Sequence, residues 1–146
     1  MTYDLEGSLG YQLSRAARSV ERGFELELRT VKLTRLQWVL LLGIGQEGLT
    51  SPSGLAGHYD LDRAVVSRGL ARLVQLGYVT SEVAKGDARN RRVTITPAGR
   101  NAMVIGIEAA ERNSQRLLEA LRPRPRIRLM ELLRDFNRAG GGSDTV

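Results

Sequence analysis

Between Ser51 and Thr96 the hydrophobic period of the chain switches from helical to alternating, and this switch limits the folds open to it. Ser51 and Pro52 open a short helix. The serine can take a free backbone amide, and proline at the first helical position loses no needed hydrogen bond. That helix holds Leu55 and Ala56, reaches His58 and ends near Tyr59. A turn through Asp60 and Leu61 leads to Asp62, the cap of a second helix, where Val66, Leu70, Leu73 and Leu76 recur at offsets of three and four. Gly77 fits the left-handed residue that commonly ends a helix. Tyr78 to Val83 and Arg92 to Thr96 then have strand composition, with Val93 and Ile95 alternating. Ala84-Lys85-Gly86-Asp87-Ala88-Arg89-Asn90-Arg91 lies between them as a polar turn. The spacing predicts a helix-turn-helix followed directly by a β-hairpin, or wing.

The flanks are helical. From Leu5 to about Arg29, Leu9, Leu13, Ala16, Val20, Phe24 and Leu28 form one apolar stripe, and Arg15, Arg18 and Arg22 follow a second. Thr34 and Gln37 fit a capping box, with Leu33 and Trp38 at the positions of a hydrophobic staple. That helix should run to about Ile44. Thr96 and Pro97 open a long helix through Met103, Ile107, Ala110, Ser114, Leu117 and Leu121. Pro123 and Pro125 should interrupt it before a last helix carrying Ile127, Met130, Leu133 and Phe136. Residues 140–146 should be a flexible tail. The fold class is therefore mainly α with a small β-hairpin. These outer helices carry more apolar stripe than so small a lobe can cover. A second copy in a symmetric homodimer would bury the rest.

Charge indicates the partner. The 146-residue chain has a net charge of +6. From Asp62 to Arg100 there are eight basic residues against three acidic ones, so about a quarter of the chain holds most of the excess. The second helix of the pair offers Arg63, Ala64, Val65, Ser67, Arg68 and Arg72 outside its apolar face. Arginine suits guanine edges and phosphates, serine suits either, and small apolar groups suit thymine methyls. A solvated basic face would have the same composition; the arginine-rich hairpin that follows favours double-stranded DNA. A winged helix that binds protein instead is the alternative, although such a wing would more naturally expose apolar anchors.

Catalysis finds little support. There is one histidine, His58, and no cysteine. No glycine-rich phosphate loop and no histidine–carboxylate set with metal spacing occurs, so no enzyme activity, cofactor or metal is expected. Turn and cap roles account for Asp60 and Asp62. The longest apolar run, Trp38 to Leu42, is too short to span a membrane. The first residues lack the features of a signal peptide. A cytoplasmic protein with no membrane partner is expected.

The run Leu61-Asp62-Arg63-Ala64-Val65-Val66-Ser67-Arg68, with Leu73 and Gly77-Tyr78-Val79 after it, resembles the recognition-helix region of the MarR family of bacterial regulators. Asp87 and Arg89 resemble that family's Asp-x-Arg wing motif. Thr94-Ile95-Thr96-Pro97-Ala98-Gly99 is similar to its strand-to-helix passage, and Leu36-Gln37-Trp38 to the residues before its second helix. The resemblance covers nearly the whole chain. It implies a homodimer with residues 1–33 and 100–139 as dimerisation region and 34–99 as winged helix-turn-helix lobe. It implies that the helix opened by Asp62 enters the major groove, that Arg89 enters the minor groove, and that Asp87 orients Arg89. The expected DNA-binding set is Arg63, Ala64, Val65, Ser67, Arg68, Arg72, Lys85, Asp87, Arg89 and Arg91. The resemblance further implies a transcriptional repressor released by a small aromatic or phenolic effector, bound between the dimerisation helices and the lobe. Tyr11, Arg15 and Trp38 are the candidates for that pocket, with core burial the competing role for Trp38. Ala64 and Val65 stand where members often have Ser or Thr, which bears on base preference rather than docking. Gly69, inside the recognition helix, costs about 1 kcal/mol relative to Ala. It either admits a close neighbour or is incidental.

Overall fold

Each helix of the central lobe begins at a side chain that satisfies its free amides. Thr34 Oγ1 accepts from the Gln37 amide (3.3 Å) and Gln37 Oε1 accepts from the Thr34 amide (3.0 Å), opening α2 (Arg35–Gly45). Ser51 Oγ accepts from the Gly54 amide at 3.0 Å, and Pro52 is the first residue of α3 (Pro52–His58). One carboxylate oxygen of Asp62 accepts from the amides of Ala64 (2.7 Å) and Val65 (3.2 Å), starting α4 (Arg63–Gln75). Gly77 follows it with φ of +73°. The Thr96 hydroxyl accepts from the Gly99 amide at 3.0 Å and donates to the Gly77 carbonyl at 2.7 Å. One side chain thus starts α5 (Pro97–Leu118) and ties it to the end of α4.

The computed structural model describes residues 2–83, 91–119 and 121–140. Besides those elements it contains α1 (Leu9–Leu28), a 3-10 turn (Arg29–Val31), and α6 (Pro123–Gly140). Strands β1 (Val79–Val83) and β2 (Arg91–Ile95) form an antiparallel hairpin with Val79 opposite Ile95 and Val83 opposite Arg91. The core is continuous. Leu28 of α1, Leu40 and Leu41 of α2, Leu55 of α3, Val66 and Leu73 of α4, and Val79 and Val93 of the hairpin are all fully buried. The close neighbour of Gly69 is Leu40: a methyl group added at Gly69 would lie 2.6 Å from Leu40 Cδ1.

Helices α1 and α5 pack together through polar contacts as well as apolar ones. Asn113, only 2% exposed, donates to the Val20 carbonyl (2.9 Å) and accepts from Arg116 (2.8 Å). Arg112 grips one oxygen of Glu27 through Nη2 (2.8 Å) and Nε (3.1 Å). Trp38 bridges α2 to this pair. Its indole meets the Phe24 ring edge-on at 4.9 Å, and its Nε1 donates to the Met103 carbonyl at 3.1 Å. Gly106 admits the indole, since a Cβ there would collide with it.

Some expected boundaries shift. Helix α1 begins at Leu9, not Leu5, and α5 stops at Leu118. Pro123 and Pro125 do not precede the last helix; they sit in its first turn. The reason is general: the first amides of a helix have no intrahelical acceptor, so proline there removes nothing. Gly140 is the last residue of α6 rather than part of a tail, and residues 141–146 lie outside the described residues. The inward side of α6 is Leu129, Leu133 and Phe136, while Ile127, expected on the same stripe, is 64% exposed. No described residue of α6 is buried.

The two glycines Gly57 and Gly69 should respond oppositely to alanine. Gly57 has open space around it, so Gly57→Ala should stabilise α3 by about 0.5–1 kcal/mol. Gly69→Ala should lose about 1 kcal/mol despite its better helix propensity, because Leu40 is fully buried and has nowhere to move. Urea unfolding at fixed protein concentration checks both signs.

Candidate nucleic-acid interface and adjoining cavity

Helix α4 sets one face against the core and one against solvent. Val66, Gly69, Leu70 and Leu73 are buried. At about 100° per residue, the opposite side holds Ala64, Ser67, Arg68, Ala71 and Gln75, all exposed. Arg63 and Arg72 flank this face and are exposed too. Arg72 Nη1 donates to Gln75 Oε1 at 3.3 Å, which ties the later arginine back across the face. Val65 is half-buried on the flank, so it offers less surface than its neighbours. Ala71 and Gln75 belong to the outward face although the residue types alone did not single them out.

The hairpin stands beside α4. Arg91 shares with Leu70, Ala71, Val74, Ser81 and Val83 a groove between the hairpin and α4. Arg92 lies across from Glu82 on the other side of the hairpin. Lys85, Asp87 and Arg89 lie outside the described residues. Among the described residues, none of Arg63, Arg68, Arg72 and Arg91 forms an ion pair with a carboxylate. The α4 face and the adjoining groove therefore present several guanidinium groups with free donors, which suits phosphates and guanine edges.

On the other side of α2 lies a cavity of about 670 Å³ between α1, α2, α5 and α6. Phe24, Trp38, Leu133 and Phe136 give it an apolar, ring-bearing wall. Glu21 and Arg35 are its charged residues, joined at 3.2 Å. Of the three residues considered for such a pocket, Trp38 lines it. Arg15 lines a separate groove with Arg18, Ser19, Arg22, Gly23 and Leu26, and Tyr11 lines neither. The physical reason is helical phase. Leu13, Ala16, Ala17, Val20 and Phe24 turn towards α2, and Tyr11 and Arg15 fall on the far side of the same helix. Glu21 and Arg35 escaped sequence reasoning because they sit on different helices and share no periodicity.

Elsewhere, His58 is exposed and meets Tyr59 edge-on at 4.7 Å. Burial, aided by the nearby Glu47 charge, pushes the Tyr59 hydroxyl above its ordinary pKa. Among the described residues, no three His, Cys, Asp or Glu side chains gather as a metal site. Among the described residues, no helix is long and apolar enough to cross a membrane.

Comparison with known proteins converges on one family. Residues 31–90 match the model of the MarR family. No protein of curated function matches the sequence. Among solved structures, BpsR of Bordetella bronchiseptica is 26% identical, with a TM-score of 0.81 over 94% of this chain and 98% of that one. That structure concerns regulation of BpsR DNA binding by 6-hydroxynicotinic acid. A probable transcriptional regulator from Pseudomonas aeruginosa is also 26% identical, with a TM-score of 0.80 over 91% and 99% of the chains. A mutant MarR from E. coli bound to operator DNA shares the fold at 22% identity, with a TM-score of 0.78 over 88% and 92%. The family is one of transcriptional regulators, not enzymes. Residues 31–90 thus match the MarR family, and nearly the whole chain shares the winged helix-turn-helix fold of solved transcriptional regulators similar to it.

Proposed function

We propose that the chain is a cytoplasmic, homodimeric repressor that binds specific double-stranded DNA through α4 and the hairpin and lets go when a small molecule fills the cavity beside Trp38. The observation that carries the DNA reading is the outward face of α4, where Ala64, Ser67, Arg68 and Ala71 lie exposed between Arg63 and Arg72. Arg91 extends this surface onto the hairpin, and Lys85, Asp87 and Arg89 continue it in sequence. The operator complex of the E. coli relative and the ligand-controlled DNA binding of the Bordetella relative support the same reading.

Area supports the homodimer. The chain exposes 10807 Å². A compact monomer of 16.1 kDa would expose about 7,400 Å². The excess is larger than the roughly 1,000–2,500 Å² that each partner buries in an obligate dimer. The outer helices expose large apolar residues: Leu9, Val20 and Leu26 of α1, and Ile127, Met130 and Phe136 of α6. Residues 1–33 and 100–139 are thus the proposed dimerisation region, with 34–99 as the DNA-binding lobe.

Arg68→Ala should weaken binding to a duplex selected by the wild-type protein from a random library, by roughly 1–3 kcal/mol per half-site, and relax base preference there. Arg89→Ala should weaken binding while the protein stays folded. Fluorescence anisotropy measures both. Affinity should fall steeply as salt rises, because arginines displace condensed counterions. A flat salt response would support a protein partner instead. Ile127→Glu with Met130→Glu should convert the dimer to monomer in sedimentation equilibrium and remove tight DNA binding with it.

A further inference from the structure

Helix α1 carries three of its arginines on the side turned away from the cavity. Arg15, Arg18 and Arg22, with Ser19 and Gly23, line a groove of about 410 Å³ that ends at Leu26. All three arginines are exposed, and among the described residues none of them pairs with a carboxylate. The nearest acids along the helix do not answer them. Glu21 turns to Arg35, and Glu25 forms no ion pair among the described residues. A fourth guanidinium stands at the rim. Arg116 of α5 lies against Gly23, where an added Cβ would come within 2.6 Å of Arg116 Nη2. That nitrogen donates to Asn113 Oδ1 at 2.8 Å, which fixes Arg116 beside the groove. Arg18 and Arg22, about one turn apart, repel each other. Like charges are thus gathered on one face with no ion pair to offset them.

The groove stands apart from the DNA-facing elements. Thr96 ties the start of α5 to the end of α4, and Arg116 lies roughly 30 Å further along α5 at the rise of a helix. We propose that the groove is a second binding site, for a short polyphosphate chain held by Arg15, Arg18 and Arg22. From Arg15 to Arg22 the helix rises about 10 Å, which suits a chain of two or three phosphates. Each guanidinium can give a phosphate two parallel bonds, and the Ser19 hydroxyl adds a further donor. The volume lies within the range of small-ligand sites. A single carboxylate would leave most of these charges unmatched. A second copy would cover this face only by supplying carboxylates, because burying unpaired guanidinium groups is costly. A short concave groove also suits a compact chain better than the convex backbone of a second duplex.

Isothermal titration of the intact protein with sodium tripolyphosphate in magnesium-free buffer tests this. Wild type should bind it, and Arg18→Gln with Arg22→Gln should weaken binding at least tenfold. Arg92→Gln with Arg100→Gln removes the same charge from exposed positions at the other end of α5 and should change affinity less than twofold. Equal weakening by the two pairs would make the effect one of general charge and overturns the proposal. So does failure of wild type to bind at millimolar concentration. The Arg18→Gln, Arg22→Gln protein should sediment as wild type does and bind the selected duplex equally well. A shift towards monomer would place these arginines in a subunit seam, and weaker duplex binding would place them on DNA; either result overturns the proposal. ATP distinguishes the sources of the chain. Tighter binding of ATP than of tripolyphosphate identifies a nucleotide, and equal affinity a free chain, and both support the site. The outcome does not depend on whether the protein binds DNA.

Discussion

Burial of the Leu40–Leu41–Ile44 side chains of α2 between two groups of elements is the constraint on which the rest depends. Its residues Leu40 and Leu41 are fully enclosed, and Ile44 nearly so. One side of the helix meets α1 and α5, and the other meets α3, α4 and β2. Removing one such leucine side chain typically costs 2–5 kcal/mol, a large share of the stability of a small domain. Because a single helix is core to both halves, the outer helices and the DNA-facing elements cannot move independently of it. Gly69 shows how tight the arrangement is: α4 approaches Leu40 so closely that even a methyl group is excluded.

Trp38 extends that constraint into a joint. Its indole is anchored to the α5 backbone through the Met103 carbonyl and held against Phe24 of α1. The same side chain lines the cavity. A molecule in that space would touch the residue that sets α2 against the outer pair. This links the proposed effector site to the proposed DNA-binding face through one buried element, without a long chain of intermediaries. Close-packed interiors pass on small displacements because they have little slack to absorb them.

The outer helices leave the structure unfinished as a single copy. Helix α6 has no buried residue, yet it carries Ile127, Leu129, Met130, Leu132 and Phe136. Arg128–Glu131 and Arg138–Asp135 pairs decorate its polar side, and at their exposure they contribute little stability. Contacts within the chain cover little of α6, and the proposed second copy would cover the rest.

The local punctuation of this protein was legible in sequence. Thr34 with Gln37, Ser51 with Pro52, Asp62, Gly77, and Thr96 with Pro97 each mark an element boundary through contacts of two to four residues, which is why spacing alone revealed them. The exposed face of α4 followed from period for the same reason. Less local features were not legible. The proline pair was misplaced because a proline in a first turn and one before it look alike in sequence. Tyr11 and Arg15 were grouped with Trp38, although helical phase turns them away from it. The Glu21–Arg35 pair and the engaged amide of Asn113 arise only where different helices meet. Sequence determined what depends on neighbours along the chain: helix starts, stops and faces. Tertiary structure alone decided which faces enclose a common space, because that depends on how rigid elements pack across distances that no local period encodes.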